Sequence, residues 1–255
     1  MNRRRRTMLE SLDLSLALPR EKYVEELTRL QIQLRELGWQ IYRQKRPVVI
    51  AVEGWDAAGK GGAIKRITEK MDPRGYVVYP IGAPLGEEKA RHYLYRFWLR
   101  VPERGQIAIF DRTWYGRVLV ERVEGYAAPT EWKRAYKEIN SFERQLREFG
   151  TIVAKFWVHI SPDEQLRRFE ERSRTHYKAW KLTEDDWRNR EKWPAYEDAV
   201  EEMLLKTSTR ASPWTLIEGN DKYWARVRTL SRLVEILSEE LGYKPADPLK
   251  KRPAR

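Results

Sequence analysis

Cysteine is absent from the sequence, which excludes disulfides and thiolate chemistry. Also missing is any apolar run near the roughly 18 residues that cross a bilayer, so membrane insertion is not expected. Histidine occurs only three times, at His92, His159 and His176, with none of the spacings of a metal site; core or surface roles are expected for all three. The stretch after MNRRRR carries Glu10 and Asp13 and lacks a clean apolar region with a small-residue cleavage site. No signal peptide is read, and the expected location is the cytoplasm. Internal repeats and low-complexity segments are lacking as well.

What the chain does have is charge. Of its net +12, Arg3 to Arg6 supply +4 and the tail from Lys244 to Arg255 another +4. Most of the imbalance therefore belongs to two basic ends, expected to be flexible over residues 1–19 and 244–255, and bulk charge identifies no ligand. Between them, residues 20–243 have the length of one large domain.

Strand and helix patterns alternate along that domain. Leu27, Leu30, Leu34, Leu37 and Ile41 mark an amphipathic helix over 21–45, which Pro47 ends. The β-branched run VVIAVE follows as a buried strand, then a glycine-bearing loop, then a helix to about Met71. YVVYPI, QIAIFD, TIVAKFWVHI and WTLIEG read as further strands. GEEKARHYLYRFWLR, EWKRAYKEINSFERQLREF and residues 222–241 read as helices. The expected fold is α/β, a parallel sheet of about five strands covered on both faces. A charged, largely helical insertion, a candidate lid over about 162–206, breaks the rhythm before the last strand; nine basic and seven acidic residues lie between Glu164 and Lys192.

Three motifs carry chemistry. Gly54 to Lys60 satisfies GxxxxGK between a strand and a helix, the context in which backbone N–H groups and a helix N-terminus cradle phosphate. Gly54, Ala57, Ala58, Gly59, Lys60 and Gly61 are the candidate phosphate-binding residues, with Lys65 and Arg66 extending the positive field or lying on a solvated helix face. Gly61 stands where most such loops carry a magnesium-binding Ser or Thr. Asp56, a carboxylate inside the loop, would repel phosphate unless a cation intervened, and so becomes the first metal-ligand candidate. The second is Asp111, which ends an apolar strand at its carboxyl edge with Arg112 beside it; capping of the following helix is the alternative. Third, Arg168 and Arg172 lie four apart on the insertion, followed by Lys178 and Lys181. Such a basic lid would neutralise phosphoryl charge, whereas solvated ion pairs are the plainer alternative. The eleven tryptophans raise base stacking as an option, although Trp157, inside a strand, is expected in the core.

The blocks EGWDAAGKGGAIKRITEKMDPRGY, APLGEEKARHYLYRFWLRVPERGQIAIFDRTWYGRVLVERVEGY, DEQLRRFEERSRTHYKAWKLTEDDWRNREKWPAYEDAVEEM and SPWTLIEGNDKYWARV resemble the polyphosphate kinase 2 family. WRNREKW and STRASPWTLIE are most similar to its polyphosphate:AMP phosphotransferase branch. The resemblance implies a three-layer P-loop kinase fold with a helical lid. It implies phosphoryl transfer between inorganic polyphosphate and a nucleotide, AMP to ADP first and ADP or GDP as alternatives, with Mg²⁺ or Mn²⁺ and in a homo-oligomer. By position, Asp56 and Lys60 match the family's loop aspartate and lysine, Asp111 and Arg112 its second aspartate and arginine, and Arg172 and Lys178 fall where its lid supplies basic groups. Two departures stand out: that branch often carries two such domains in tandem, and Trp55 and Thr175–His176 replace a smaller residue and a proline-containing turn. Rival readings are an ATP-dependent small-molecule kinase with the same loop and, from another class, a nucleic-acid-binding module; the resemblance implies no nucleic-acid partner.

Overall fold

The computed structural model describes residues 7–175 and 184–248. In chain order they form α1 (Arg20–Arg43), β1 (Val48–Gly54), α2 (Lys60–Thr68), β2 (Tyr76–Pro80), α3 (Tyr95–Trp98), β3 (Ile107–Asp111), α4 (Val120–Val123), α5 (Pro129–Glu148), β4 (Ile152–His159), α6 (Pro162–Ser173), α7 (Glu184–Glu191), α8 (Trp193–Thr207), β5 (Trp214–Glu218) and α9 (Lys222–Leu241). The five strands are parallel in the order β2-β3-β1-β4-β5. Helices α1, α2 and α9 pack together as one layer and α4, α5 and α8 as another, giving the three-layer α/β architecture of a P-loop kinase.

Burial explains the strand order. Every residue of β4 and all of β1 but its last are buried, as strands covered on both faces must be. The edge strands β2 and β5 alternate or remain half-exposed. Leu30, Leu34, Leu37 and Ile41 of α1 form the expected buried stripe, each stabilising the fold by about 1.5–3 kcal/mol relative to exposure. Register sets Val52 opposite Asp111 and Gly54 opposite Val158. The carboxyl ends of β1, β3 and β4 therefore meet at one place, the switch point where ligands bind in open α/β sheets. Among the described residues no helix is long and apolar enough to cross a membrane.

Three expectations need correction. GEEKARHYLYRFWLR is not one helix: Gly86–Ala90 is a 3-10 turn, Arg91 is extended, and only Tyr95–Trp98 is α-helical. Leu94 and Phe97 are buried, Phe97 lying 5.9 Å from Phe110 and 5.6 Å from Trp114, and Glu88 folds back onto Arg96 and Arg100. Tertiary packing thus overrides the local helical pattern. The N-terminal segment is docked from residue 7 onward: Leu9 is buried, and the Met8 and Leu9 amides donate to Glu201 at 3.1 and 2.7 Å. Likewise the tail is held at Ala246, whose amide donates to Glu36 and whose carbonyl accepts from Gln33. Finally, α8 falls within the span expected as a lid, yet Ala199, Val200, Met203 and Leu204 are buried and the helix packs on α4 and α5. It belongs to the body, and the solvent-facing part of the insertion is the end of α6 with α7.

Candidate active site

The loop from Gly54 to Lys60 owes its shape to three left-handed residues: Gly54 at φ +153°, Ala57 at +62° and Gly59 at +110°. A Cβ on Gly54 would lie 2.5 Å from the Val158 carbonyl oxygen, so only glycine lets β1 approach β4 there. Gly59 is the N-cap residue of α2, and the helix begins at Lys60. The Lys60 ammonium turns back along the loop and donates to the Gly54 and Trp55 carbonyls at 2.6 and 2.9 Å. Burial pulls its pKa below the ordinary lysine value, against the opposing pull of Asp56.

Asp56 is the most connected group at the loop. Its Oδ1 accepts from Arg112 at 3.0 Å and its Oδ2 from the Asn189 amide at 3.0 Å. Burial acts to raise its pKa, but Lys60, Arg112 and the Asn189 bond outweigh that and hold it below the usual carboxylate range. Asp111 closes β3, and its Oδ2 would lie 3.8 Å from a Cβ built on Gly61. This carboxylate therefore stands close to where other P-loops place the hydroxyl of Ser or Thr. It caps nothing: Thr113 caps the next turn by accepting from the Tyr115 amide. Arg112 sits in the left-handed region at φ +64°, a strained position for an arginine. The turn is over-determined, since the Arg112 amide donates to Val52 O and both the amide and hydroxyl of Thr113 donate to Glu53 Oε1.

Arg168 and Arg172 part company. Arg168 is buried and donates to the carbonyls of Ala57 (3.0 Å), Ala58 (2.8 Å), Gly219 (2.6 Å) and Asn220 (2.9 Å). It ties the loop to the β5–α9 turn and has no donors left for phosphate. Arg172, one turn on, reaches a cavity of about 260 Å³ alongside Gly59, Gly62, Arg168, Lys222 and Arg226. Lys65 and Arg66 lie in the last turn of α2 and do not line this cavity. Lys178 and Lys181 lie outside the described residues, as does His176.

Sequence reasoning missed Asn189, Glu53, Lys222 and Arg226. Asn189 had no motif; it joins the site because the Tyr196 hydroxyl lies 3.0 Å from its Oδ1 and 3.3 Å from Glu124, which also accepts from Arg188 and Lys192. Trp55 also proves structural: its indole stacks on Trp193 at 3.7 Å and 15°, and donates to His159 Nδ1 at 3.0 Å. Burial brings the His159 pKa down to about 4. Trp157 is in the core, as expected, and His92 lies at the surface 3.4 Å from Glu138.

The Gly54–Lys60 loop, two carboxylates, an arginine and a basic cavity meet at one sheet edge, and the chain that brings them together has known relatives. The Polyphosphate kinase 2 (PPK2) family model matches residues 17–244. The chain is 54% identical over 239 residues to the polyphosphate:AMP phosphotransferase of Pseudomonas syringae pv. tomato, covering 92% of this chain and 47% of that protein. It is 40% identical over 225 residues to ADP-polyphosphate phosphotransferase 2 of Rhizobium meliloti, covering 88% of this chain and 73% of that one. The crystal structure of polyphosphate kinase 2 from Arthrobacter aurescens TC1 superposes with a TM-score of 0.87 at 30% identity, over 96% of this chain and 89% of the other. The chain thus spans about half the length of the polyphosphate:AMP phosphotransferases it matches. Matched over nearly its whole length in sequence and in fold, the chain belongs to the polyphosphate kinase 2 family.

Proposed function

We propose that this chain moves the terminal phosphoryl group of inorganic polyphosphate onto a nucleoside phosphate, with AMP, giving ADP, as the first acceptor. The observation that carries this reading is the meeting of Asp56 and Asp111 at Lys60 and the start of α2, with Asp111 beside Gly61 where the usual hydroxyl is lacking. In the reaction an oxygen of the AMP phosphate attacks the terminal phosphorus of the chain. The P–O bond to the next phosphate breaks, and polyphosphate leaves one unit shorter. Loop amides and Lys60 hold the transferring group, while Arg112 and Arg172 balance its spreading charge. The cavity lined by Arg172, Lys222 and Arg226 continues away from the loop and suits a run of further phosphates.

Asp56 and Asp111 are a donor set that fits magnesium, or manganese with the same oxygens. Among the described residues no group of three or more acidic or histidine ligands occurs, and magnesium asks for none, being held by one or two carboxylates, substrate phosphates and water. When bound, such an ion draws charge from the phosphate oxygens. AMP ranks before ADP because the AMP-named relative is 54% identical and the ADP-named one 40%. Incubating the purified chain with AMP and Mg²⁺, and with either polyphosphate or ATP, tests the reading. ADP is expected with polyphosphate; product from ATP alone would overturn it.

A further inference from the structure

Beneath the Arg112 turn lies a buried polar cluster that phosphoryl transfer does not use. Lys155 of β4 is wholly buried, and its ammonium spends all three donors: on Tyr115 Oη at 2.9 Å, Glu143 Oε2 at 2.8 Å and the Thr207 carbonyl at 2.8 Å. The other oxygen of Glu143, on α5, accepts from the Tyr115 hydroxyl at 2.6 Å and from the Trp114 indole at 3.1 Å. Tyr115 is three residues from Arg112, and Thr207 is the last residue of α8, the helix whose first residue, Trp193, stacks on the loop's Trp55. One lysine thus joins the strained turn to the far end of the helix that grips the phosphate loop.

A buried ion pair is weak evidence of stabilisation, since well-packed apolar residues often replace one without loss. What methionine could not supply is three directed bonds to three separate elements. From this geometry we infer that Lys155 is a positioning residue: with Glu143 it fixes Trp114 and Tyr115, and so holds Arg112 at the angle from which it meets Asp56. Glu53, bonded to Thr113, fixes the same turn from the β1 side. The inference rests on the proposed function only for the part Arg112 plays.

Two variants test it. Tyr115→Phe keeps the ring and removes the hydroxyl shared by Lys155 and Glu143. Lys155→Met paired with Glu143→Gln removes the charges together, so that neither is left buried alone. In both, amide hydrogen exchange over residues 112–117 is expected to quicken by roughly tenfold or more. The kcat with AMP and polyphosphate should fall roughly ten- to hundredfold while KM for AMP moves much less, because misplacement costs rate more than binding. Unchanged exchange over 112–117 in both variants overturns the inference, as does wild-type kcat per folded molecule. A wild-type chain without polyphosphate-dependent transfer would instead sink the proposed function, and the exchange measurement would still decide this one.

Discussion

The side-chain amide of Asn189 donates to Asp56 Oδ2 at 3.0 Å, bringing a helix of the charged insertion directly onto the Gly54–Lys60 loop. Arg112 takes the other oxygen, so Asp56 is oriented from two sides by elements 56 and 133 residues away in sequence. Asn189→Ala should lower kcat by roughly ten- to hundredfold, the worth of one hydrogen bond to a charged group. Asn189→Asp, which faces carboxylate with carboxylate, should lose more. Steady-state turnover beside thermal melting checks both; equal activity of the two variants would detach Asn189 from the site.

Lys60→Ala and Asp111→Asn should each reduce turnover by at least about a hundredfold, the usual loss when a preorganised charge partner of the transition state is removed. Neither should lower the melting temperature much, since Lys60 bonds only to its own loop and Asp111 lies partly open. Near-normal turnover in either removes the mechanism.

Arg168→Met is expected to act on stability as well as rate. Four carbonyls, two of the loop and two of the β5–α9 turn, lose their donor, at a cost of at least about 3 kcal/mol, and the loop comes away from that turn. Denaturant unfolding reads the first effect and KM for polyphosphate the second. An active variant of unchanged stability would mean that the clamp is dispensable.

The different fates of Arg168 and Arg172 show where the sequence stops being legible. The P-loop, Asp111 and the five strands follow from local pattern: glycines before a helix, a carboxylate at the end of an apolar run, β-branched stretches of strand length. A helical i, i+4 pair of arginines shows only that both lie near one face. Which of them points inward depends on the Gly219–Asn220 turn, 51 residues on from Arg168. Asn189 and Lys155 were hidden for the same reason, since their partners lie on other elements. The 86–100 stretch misled because Leu94 and Phe97 obey a helical period yet are buried in the core, Phe97 against Phe110 and Trp114, which the period does not contain.

Acid should loosen the site through His159. Its folded pKa of about 4 lies below the ordinary 6.5, so protonation favours the unfolded chain. The stability this neutral imidazole contributes is complete above pH 6.5 and is lost as pH falls towards 4, by up to about 3 kcal/mol. His159→Gln keeps an acceptor for the Trp55 indole and does not titrate. Its melting temperature should therefore fall less than that of the wild type between pH 7 and pH 4.5; parallel curves would assign the acid sensitivity to other groups.

Two indoles face to face at 3.7 Å are also an optical instrument. Trp55 belongs to the Gly54–Lys60 loop and Trp193 to α8, which packs against it, so their transitions couple only while the two elements touch. Exchanging Trp193 for phenylalanine and subtracting near-ultraviolet circular dichroism spectra would isolate that coupling among the eleven tryptophans. The protein thereby carries its own label-free gauge of loop-to-helix contact, readable in real time as a phosphate chain is added.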